Sequence, residues 1–432
     1  MRKLILPQIN KSPFYVFTQE KAILSNGATS LEPINSIAFI GNHLPRKCGI
    51  ATFTTDLCDA FKTEFKGVKS IVLAMNDTEE GYDYPSSVSL GINQFDNASY
   101  IQAAEFLNVS GAEVVSLQHE YGIYGGEGGG YIINLLEKLS IPVVTTLHTV
   151  LQHPNEVQQK VMREIERFSQ RLVVMSMRGA ELLQSIYDIP NGKIDVILHG
   201  VPDMPFVNPS IFKVSLGLEQ KKVILTSGFL SPNKGIENVI NALPAIIEQY
   251  PNTMYLVVGT THPHVKRQQG ESYRDSLIEL AQKLNIQHSI QFHDEFVNAG
   301  KLNEFINAAD LFITPYNGSE QIVSGVLSYA MGAGKAIIST PYIYAQELLQ
   351  EGRGALVPFR EPAAISQEVL ALFNDECKWE RLRGAAYKYG RKMIWQKTVQ
   401  QYMESFTEAH SQFGRDKKMK FAHATQDEGG EA

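Results

Sequence analysis

Short apolar runs alternate with longer amphipathic segments along this chain, and this alternation constrains its fold more than any other feature. The first series of runs comprises IAFIG (37–41), SIVLAM (70–75), EVVSL (113–117), PVVTTL (142–147), RLVVMS (171–176) and IDVIL (194–198). The segments between them, such as GIATFTTDLCDAFKTEF, repeat their apolar residues with a helical period. Buried strands that alternate with helices predict a parallel sheet built from βαβ units.

A second series of the same kind follows a proline-rich break. Three prolines fall between Val201 and Ser210, which is typical of a linker. The second series comprises KVILTSGF (222–229), TMYLVVG (253–259), SIQFHD (289–294), DLFITP (310–315), KAIIST (335–340) and GALVPF (354–359). Since 432 residues also exceed what one hydrophobic core usually serves, we expect an α/β protein with two doubly wound, Rossmann-like domains.

These patterns divide the chain into five predicted segments. They are an irregular N-terminal arm (1–33), a first Rossmann-like domain (34–205), a second one (206–392), a helix that crosses back to the first domain (393–412) and a disordered polar tail (413–432). Open parallel sheets bind ligands beyond the carboxyl ends of their strands. Two such domains facing each other predict a cleft, with its chemistry in the loops at those ends.

Composition excludes several classes of protein. A net charge of −7 without a long basic block argues against a nucleic-acid partner. Three scattered cysteines fit neither a disulfide framework nor a zinc site, and they indicate a reducing, cytoplasmic location. The longest apolar runs are too short to span a membrane, which restricts any membrane contact to the surface. The sequence predicts no particular oligomeric state.

Two loops of the first domain supply candidate site residues. Gly49 and Ile50 open the helix after the first run, where backbone amides attract phosphate, although an ordinary strand–helix turn fits the pattern equally well. His148 follows the fourth run, where it is either a site residue or a hydrogen-bonded histidine under a loop. Only His153 is near it, so the sequence predicts no metal site.

A glycine-rich loop follows the third run. His119 and Glu120 end that run, and Gly125 and Gly126 lie in the loop. So many glycines predict a sharp bend or a close approach to a ligand. His119 and Glu120 could form an acid/base pair, but neighbouring residues on a strand point to opposite faces, which favours a structural role.

The second domain opens with a candidate phosphate site. Gly228 ends its first strand, and Lys234 stands at the start of the next helix. A lysine there opposes the helix dipole and is best tolerated when an anion also binds, which favours a phosphate site over a simple turn. Further along, the small residues between Ser319 and Ile337 indicate that another group packs very close to that helix.

In their order and spacing these motifs resemble the retaining, nucleotide-sugar-dependent glycosyltransferases of family four, which have the GT-B fold. The matching pieces are KCGIATF, TLHT, VILHGVPD, GFLSPNKGIENVINALP, VVGTTHP, AADLFITPY and SYAMGAGKAIIST, and they extend over about residues 36–410. The stretches LPRKCGIATFT and LQHEYGIYGGEGG are similar to those of a bacterial subgroup.

The resemblance implies transfer of a hexose, of the mannose or glucose type, from a nucleoside-diphosphate sugar to a carbohydrate or other hydroxyl acceptor. It implies no obligatory cofactor or metal. Lys234 would stabilise the leaving diphosphate and His148 would contact the donor sugar. The other donor-binding candidates are Gly49, Ile50, Gly228, Gln321, Val323, Ser324, Gly325 and Tyr329. The acceptor-side candidates are His119, Glu120, Gly125 and Gly126.

The sequence departs from the family at three donor positions. Phe229 stands where the family has an arginine, and Gln321 and Tyr329 stand where it has two glutamates. Glu320 is one residue out of frame, and one residue turns a helical side chain by about 100°. Two interpretations follow: an active transferase with an altered donor site, favoured because His148 and Lys234 are retained, or a non-catalytic GT-B protein that binds carbohydrate or nucleotide or regulates.

Overall fold

The computed structural model describes residues 33–427, with side chains to residue 418. All but the last residue of the predicted N-terminal arm therefore lies outside the described residues, as does the end of the chain from residue 428. The described chain contains two parallel sheets with interleaved helices. This confirms the predicted α/β class with two doubly wound domains.

The first domain is built on seven parallel strands in the order β3-β2-β1-β4-β5-β6-β7. The strands are β1 (Ser36–Gly41), β2 (Lys69–Asn76), β3 (Val88–Asn93), β4 (Val114–His119), β5 (Val143–Leu147), β6 (Arg171–Val174) and β7 (Ile194–Val196). The helices are α1 (Gly49–Glu64), α2 (Asn97–Val109), α3 (Tyr131–Lys138), α4 (Glu156–Phe168) and α5 (Met177–Tyr187). Strand β3 was not predicted, because it is an edge strand and its sequence, VSLGIN, has no continuous apolar run.

The second domain has six parallel strands in the order β10-β9-β8-β11-β12-β13. The strands are β8 (Lys222–Ser227), β9 (Thr253–Val258), β10 (Ile290–His293), β11 (Leu311–Thr314), β12 (Ala336–Ser339) and β13 (Ala355–Leu356). The helices are α6 (Ser210–Lys213), α7 (Ile236–Gln249), α8 (Pro263–Gln269), α9 (Ser272–Lys283), α10 (Ala299–Ala308), α11 (Gly325–Gly332), α12 (Ile343–Leu348), α13 (Pro362–Asn374) and α14 (Glu376–Gly390).

The last helix, α15 (Trp395–Asp427), packs on the first domain. The hydroxyl of Tyr402 lies 3.0 Å from Oγ1 of Thr146 in β5, and the ring of Phe406 stacks on Phe61 of α1. Residues 413–427, which we predicted to belong to a disordered tail, continue this helix. Extending a helix that packing already holds in place requires no new nucleation, so a polar continuation with good helix formers remains helical.

Both faces of each sheet are buried. In β1, Ala38 and Ile40 join the core on one face, whereas Ile37 and Phe39 join the core on the other. Consecutive strand residues point to opposite faces, so a run that is apolar throughout requires helices on both sides. No helix within residues 33–427 is both long and apolar enough to cross a membrane.

Helix α11 packs unusually close to its neighbours, as its small residues predicted. A Cβ atom added to Gly332 would lie 2.7 Å from Cγ2 of Val201 in the interdomain linker. A Cβ added to Gly390, at the end of α14, would lie 2.7 Å from the Cα of Gly332. Helix α11 is therefore fixed against the linker on one side and α14 on the other.

We predict that Gly390→Ala lowers the free energy of unfolding by about 1–3 kcal/mol, because the added methyl group must displace backbone atoms of α11. Chemical denaturation measures the change. Gly384→Ala is the matched control: it lies in the same helix, and a Cβ there meets no atom within 4 Å. Gly384→Ala should leave stability unchanged or raise it by up to about 1 kcal/mol. Equal stability of the two variants would contradict the packing argument.

Candidate functional site

Elements from both domains meet around His199, in the linker between the two sheets. The ring of Phe53 in α1 packs edge-on against two histidine rings. Its centroid lies 4.9 Å from that of His148, which follows β5, and 5.0 Å from that of His199. A Cβ added to Gly325, the first residue of α11, would lie 3.1 Å from Nε2 of His199. The structure thus brings His148, α1 and the start of α11 to one place. Gly228, at the end of β8, also faces α11.

The protonation of His148 is fixed by its surroundings. Its Nε2 lies 3.0 Å from Oε1 of Gln118, whose amide nitrogen donates to Oγ of Ser116. Since that oxygen only accepts, Nε2 carries the proton and Nδ1 remains an acceptor. Burial, with smaller effects of His199 and His119, lowers the pKa of His148 to about 3. His148 is therefore a neutral hydrogen-bonding group rather than an acid.

His199 is also neutral and has a fixed tautomer. Its Nδ1 lies 2.7 Å from the carbonyl oxygen of Gly200, so Nδ1 donates and Nε2 is unprotonated. Burial lowers the pKa of His199 to about 4, against a smaller opposing effect of the Gly200 carbonyl. The unprotonated Nε2 faces Gly325, at the positive end of α11, where the helix dipole favours a lone pair.

The start of α11 offers several free backbone amides. Ser324 caps the helix, with its Oγ accepting from the amide of Leu327. Within the described chain, the amides of Val323, Ser324, Gly325 and Val326 donate no hydrogen bond. Free amides at a helix start attract anions, especially phosphate.

The start of α1 is similar. The amides of Gly49 and Ile50 donate no hydrogen bond among the described residues, and a Cβ added to Gly49 would meet no atom within 4 Å. The helix is capped by the sulfur of Cys48, which accepts from the amide of Ala51. Open space at Gly49 leaves room for a group other than protein to approach this helix start closely.

The aromatic ring of Tyr316 connects Lys234 to the start of α11. Nζ of Lys234 is 3.9 Å from the centroid of the Tyr316 ring, and the Tyr316 hydroxyl is 3.4 Å from Oγ of Ser324. In the described part of the chain, Lys234 forms no ion pair with a carboxylate. Among the described residues its positive charge therefore has no carboxylate partner, and Tyr316 links it to the residue that caps α11.

Phe229, which replaces the family's arginine, belongs to an aromatic group. Its ring stacks on Phe296 at 5.6 Å and meets the edge of His262 at 5.5 Å. Burial, followed by His264, Lys234 and Arg267, lowers the pKa of His262. Aromatic rings thus occupy the position at which the family has an arginine.

At the two positions where the family has glutamates, this chain has side chains that form hydrogen bonds within the protein. Nε2 of Gln321 donates to the carbonyl oxygen of Val323 at 2.8 Å. Tyr329 is buried, and its hydroxyl donates to Oδ2 of Asp56 in α1 at 2.6 Å. The side chain of Tyr329 therefore joins the two domains. Glu320 is exposed, away from this contact.

A second set of contacts joins the domains near α5. The carboxylate oxygens of Glu347 in α12 accept from the amides of Met177 and Arg178, at 2.8 and 3.0 Å. The hydroxyl of Ser176 donates to the carbonyl oxygen of Ile322, just before α11. These contacts hold the start of α11 against the first domain.

The acceptor-side candidates are mostly used in internal packing. A Cβ on Gly125 would clash with the carbonyl oxygen of Gln94, and one on Gly126 with the ring of Tyr131, so close protein packing already requires these glycines. The carboxylate of Glu120 accepts from the hydroxyl of Thr149. The expected close approach of a ligand is therefore unnecessary to explain the loop.

His119 is fully buried between Tyr121 and Tyr124. Neither of its ring nitrogens has a hydrogen-bond partner in the described chain, and burial lowers its pKa to about 3. A neutral, inaccessible imidazole of this kind cannot exchange protons with Glu120, so the structure does not support an acid/base pair.

Four residues of this region, Phe53, Asp56, His199 and Tyr316, are not among the predicted site residues. His199 and Tyr316 lie in motifs that carry the family resemblance, and Tyr316 follows a strand end, where site residues are expected. Phe53 ends the motif KCGIATF, which also carries the resemblance, whereas nothing in the sequence distinguishes Asp56 from an ordinary helical residue.

Two families of known proteins match successive parts of the chain. The chain matches the family described as "Glycosyltransferase Family 4" over residues 48–203 and that described as "Glycosyl transferases group 1" over residues 208–393. A glycosyltransferase of Methanocaldococcus jannaschii, named as uncharacterised, is 27% identical over 220 residues, which are 48% of this chain and 51% of that protein.

Two further proteins extend the comparison. A phosphatidyl-myo-inositol mannosyltransferase of Mycobacterium tuberculosis is 27% identical over 191 residues, 43% of this chain and 47% of that protein. The crystal structure of Anabaena HepE in complex with UDP superimposes with a TM-score of 0.69 at 16% identity, over 86% of this chain and 99% of that one. The chain spans about half the length of these two sequence relatives.

We predict that the free energy of unfolding falls on acidification, by about 2 kcal/mol between pH 6 and 5. His119, His148 and His199 stay neutral in the folded protein but bind protons near pH 6.5 once unfolded, so acid favours unfolding. Asp56 acts oppositely, because burial, with a smaller effect of Asp59, raises its pKa to about 6 while the Tyr329 hydroxyl opposes the shift. Burial also lowers the pKa of His262 and of His293, and it raises the pKa of Glu120 and of Glu347, so five histidines act against three carboxyl groups and outweigh them.

Denaturant titrations at several pH values measure this slope. His119→Phe, which keeps a ring between the two tyrosines, should reduce the slope by about one third of the contribution of His119, His148 and His199. The exposed His153 provides the control, and His153→Asn should leave the slope unchanged. An unchanged slope in His119→Phe would contradict the account.

Proposed function

Because this chain belongs to the family 4 glycosyltransferases with the GT-B fold, we propose that it transfers a hexose from a nucleoside-diphosphate sugar to a hydroxyl group, with retention of configuration. A hexose of the mannose or glucose type is supported by a mannosyltransferase among its relatives and by the UDP-glucose complex of HepE. The proposed acceptor is a carbohydrate or another hydroxyl compound. We propose a cytoplasmic location for the protein, because the three cysteines of the chain are scattered.

One observation carries the proposal: the ammonium group of Lys234, which has no carboxylate partner in the described chain, is linked through Tyr316 to a helix start with free amides. Lys234 and the amides from Val323 to Val326 form a positive surface that fits a diphosphate. During transfer, negative charge builds up on the departing phosphate oxygen. Fixed donors and a cation stabilise that charge where it develops, which lowers the barrier.

The proposed reaction exchanges one bond of the anomeric carbon for another. The bond from that carbon to the diphosphate oxygen breaks, the acceptor oxygen bonds on the same face, and the acceptor proton passes to the departing phosphate. The sugar passes through an oxocarbenium-like state. The free amides of Gly49 and Ile50 would contact the same phosphates from the first domain.

His148 would bind the donor sugar as a neutral acceptor. Its Nδ1 carries no proton and makes no hydrogen bond within the described chain. A sugar hydroxyl can donate to this nitrogen without competing with a proton from solvent, because the pKa is about 3. His148 thus contributes to orientation rather than to proton transfer.

A second candidate function is non-catalytic: the protein would use the GT-B fold to bind carbohydrate or nucleotide, or would act as a regulatory protein. It is favoured by Gln321 and Tyr329, which lack the carboxylates of the family and make internal hydrogen bonds instead. The retained Lys234 and free amides favour the transferase. Turnover, rather than binding, separates the two functions.

We predict that at least one nucleoside diphosphate raises the thermal unfolding midpoint of the protein, and that Lys234→Ala weakens its binding at least tenfold, a loss of about 1.4 kcal/mol. The variant loses a charge-assisted contact to phosphate without disturbing the core. Calorimetric titration measures the affinity. Lys283→Ala, an exposed lysine at the end of α9, is the control and should bind like the original protein.

Incubation of each nucleotide sugar with several hydroxyl acceptors completes the test. Transfer by the original protein and its loss in Lys234→Ala support the transferase. Binding without transfer favours the non-catalytic candidate. If no nucleoside diphosphate binds, the proposed function is wrong.

A further inference from the structure

We propose that Tyr316 is a positioning residue of the donor site, whose ring holds the Lys234 ammonium group in place without neutralising it. The inference rests on the proposed function and deepens it. Tyr316 lies two residues after β11 and is fully buried. Its contacts with Lys234 and Ser324 span both parts of the proposed diphosphate site.

The ring of Tyr316 is held firmly. It stacks on the ring of Tyr342, with centroids 4.8 Å apart and an angle of 17° between the planes. The carbonyl oxygen of Tyr316 accepts from Oγ1 of Thr340 at 2.7 Å, and the hydroxyl of Tyr342 donates to Thr314 at 3.3 Å. The ring therefore provides a rigid surface rather than a mobile one.

The backbone that carries Lys234 is docked on the Tyr316 loop. A Cβ on Gly235 would lie 2.1 Å from the carbonyl oxygen of Pro315, and Gly235 has a φ of 62°, so this position requires glycine. The amide of Asn317 donates to the carbonyl oxygen of Asn233 at 2.8 Å. These contacts set where the Lys234 side chain begins.

The face of the ring then sets where the side chain ends. Nζ of Lys234 lies 3.9 Å from the ring centroid, within the range of a cation–π interaction. A ring attracts a cation through its quadrupole and leaves the full positive charge in place. In the same domain, Lys213 instead pairs with Asp310 at 2.6 Å, which cancels its charge.

The hydroxyl of Tyr316 extends the same arrangement to α11. It lies 3.4 Å from Oγ of Ser324, the residue that caps the helix and precedes two of the free amides. The same side chain therefore contacts both the cation and the residue that caps the helix. This matters more here than in the family, because Phe229 replaces the arginine that would share the diphosphate.

The test measures binding of UDP and GDP by calorimetry to the original protein, Tyr316→Phe, Tyr316→Leu, Lys234→Met and the double variant Tyr316→Leu/Lys234→Met. Tyr316→Phe keeps the ring and should bind within about threefold of the original protein, whereas Tyr316→Leu should bind about tenfold more weakly. In the Lys234→Met background, Tyr316→Leu should add little, because the lysine that it positions is already gone.

Tyr255→Leu is the matched control, since Tyr255 is a fully buried tyrosine of the same domain whose hydroxyl also bonds a hydroxyl, Oγ1 of Thr226. It should lose stability but not affinity. If Tyr255→Leu weakens binding as much as Tyr316→Leu, or if Tyr316→Leu binds normally, the positioning role is wrong. Equal losses in Tyr316→Phe and Tyr316→Leu would assign the effect to the hydroxyl and also overturn it.

A measurement on the original protein covers the case in which Tyr316→Leu does not fold. The ε-methylene protons of Lys234, assigned by comparison with Lys234→Arg, should be shifted upfield in the NMR spectrum by the ring current of Tyr316. An unshifted resonance overturns the inference. If the original protein binds neither UDP, GDP nor any other nucleoside diphosphate, the proposed function is wrong and the inference with it. Normal binding by Lys234→Met overturns only the roles of Lys234 and Tyr316.

Discussion

The close packing of α11 against the linker and α14 is the constraint on which the rest of the site depends. Gly332 lies against Val201 and Gly390 against Gly332, and both contacts require a residue without a side chain, whereas a Cβ added to Gly325 would crowd the ring of His199. This packing fixes the start of α11 at the junction of the two domains. The free amides, the ammonium group of Lys234 and the neutral His148 are arranged around that fixed point.

The fold could be predicted from the sequence because its strands are buried on both faces. Such strands appear as continuous apolar runs, and the helices between them carry a clear period. Prediction failed where burial is incomplete. Strand β3 lies at a sheet edge and has no apolar run, and the polar continuation of α15 beyond residue 412 is helical because it extends a packed helix. In both segments the polar sequence led to a wrong prediction of irregular structure.

The site could be predicted in part. His148 and Gly49 follow strands of the first sheet, and Lys234 lies in the turn between β8 and α7 of the second domain; each parallel sheet gathers such loops at one edge, so their positions follow from the fold. Their partners do not, because the contacts join residues far apart in sequence. Tyr329 shows this most clearly: its partner, Asp56, lies 273 residues away in the other domain, and only the structure reveals that this tyrosine joins the domains.

A crystal structure with a bound nucleoside diphosphate tests the central claim most directly, namely that the cation and the helix start form a diphosphate site. The account predicts diphosphate oxygens within hydrogen-bonding distance of the amides from Val323 to Val326 and of Nζ of Lys234, with that lysine still over the ring of Tyr316. A nucleotide bound elsewhere on the protein, or a diphosphate that contacts neither group, would contradict the account.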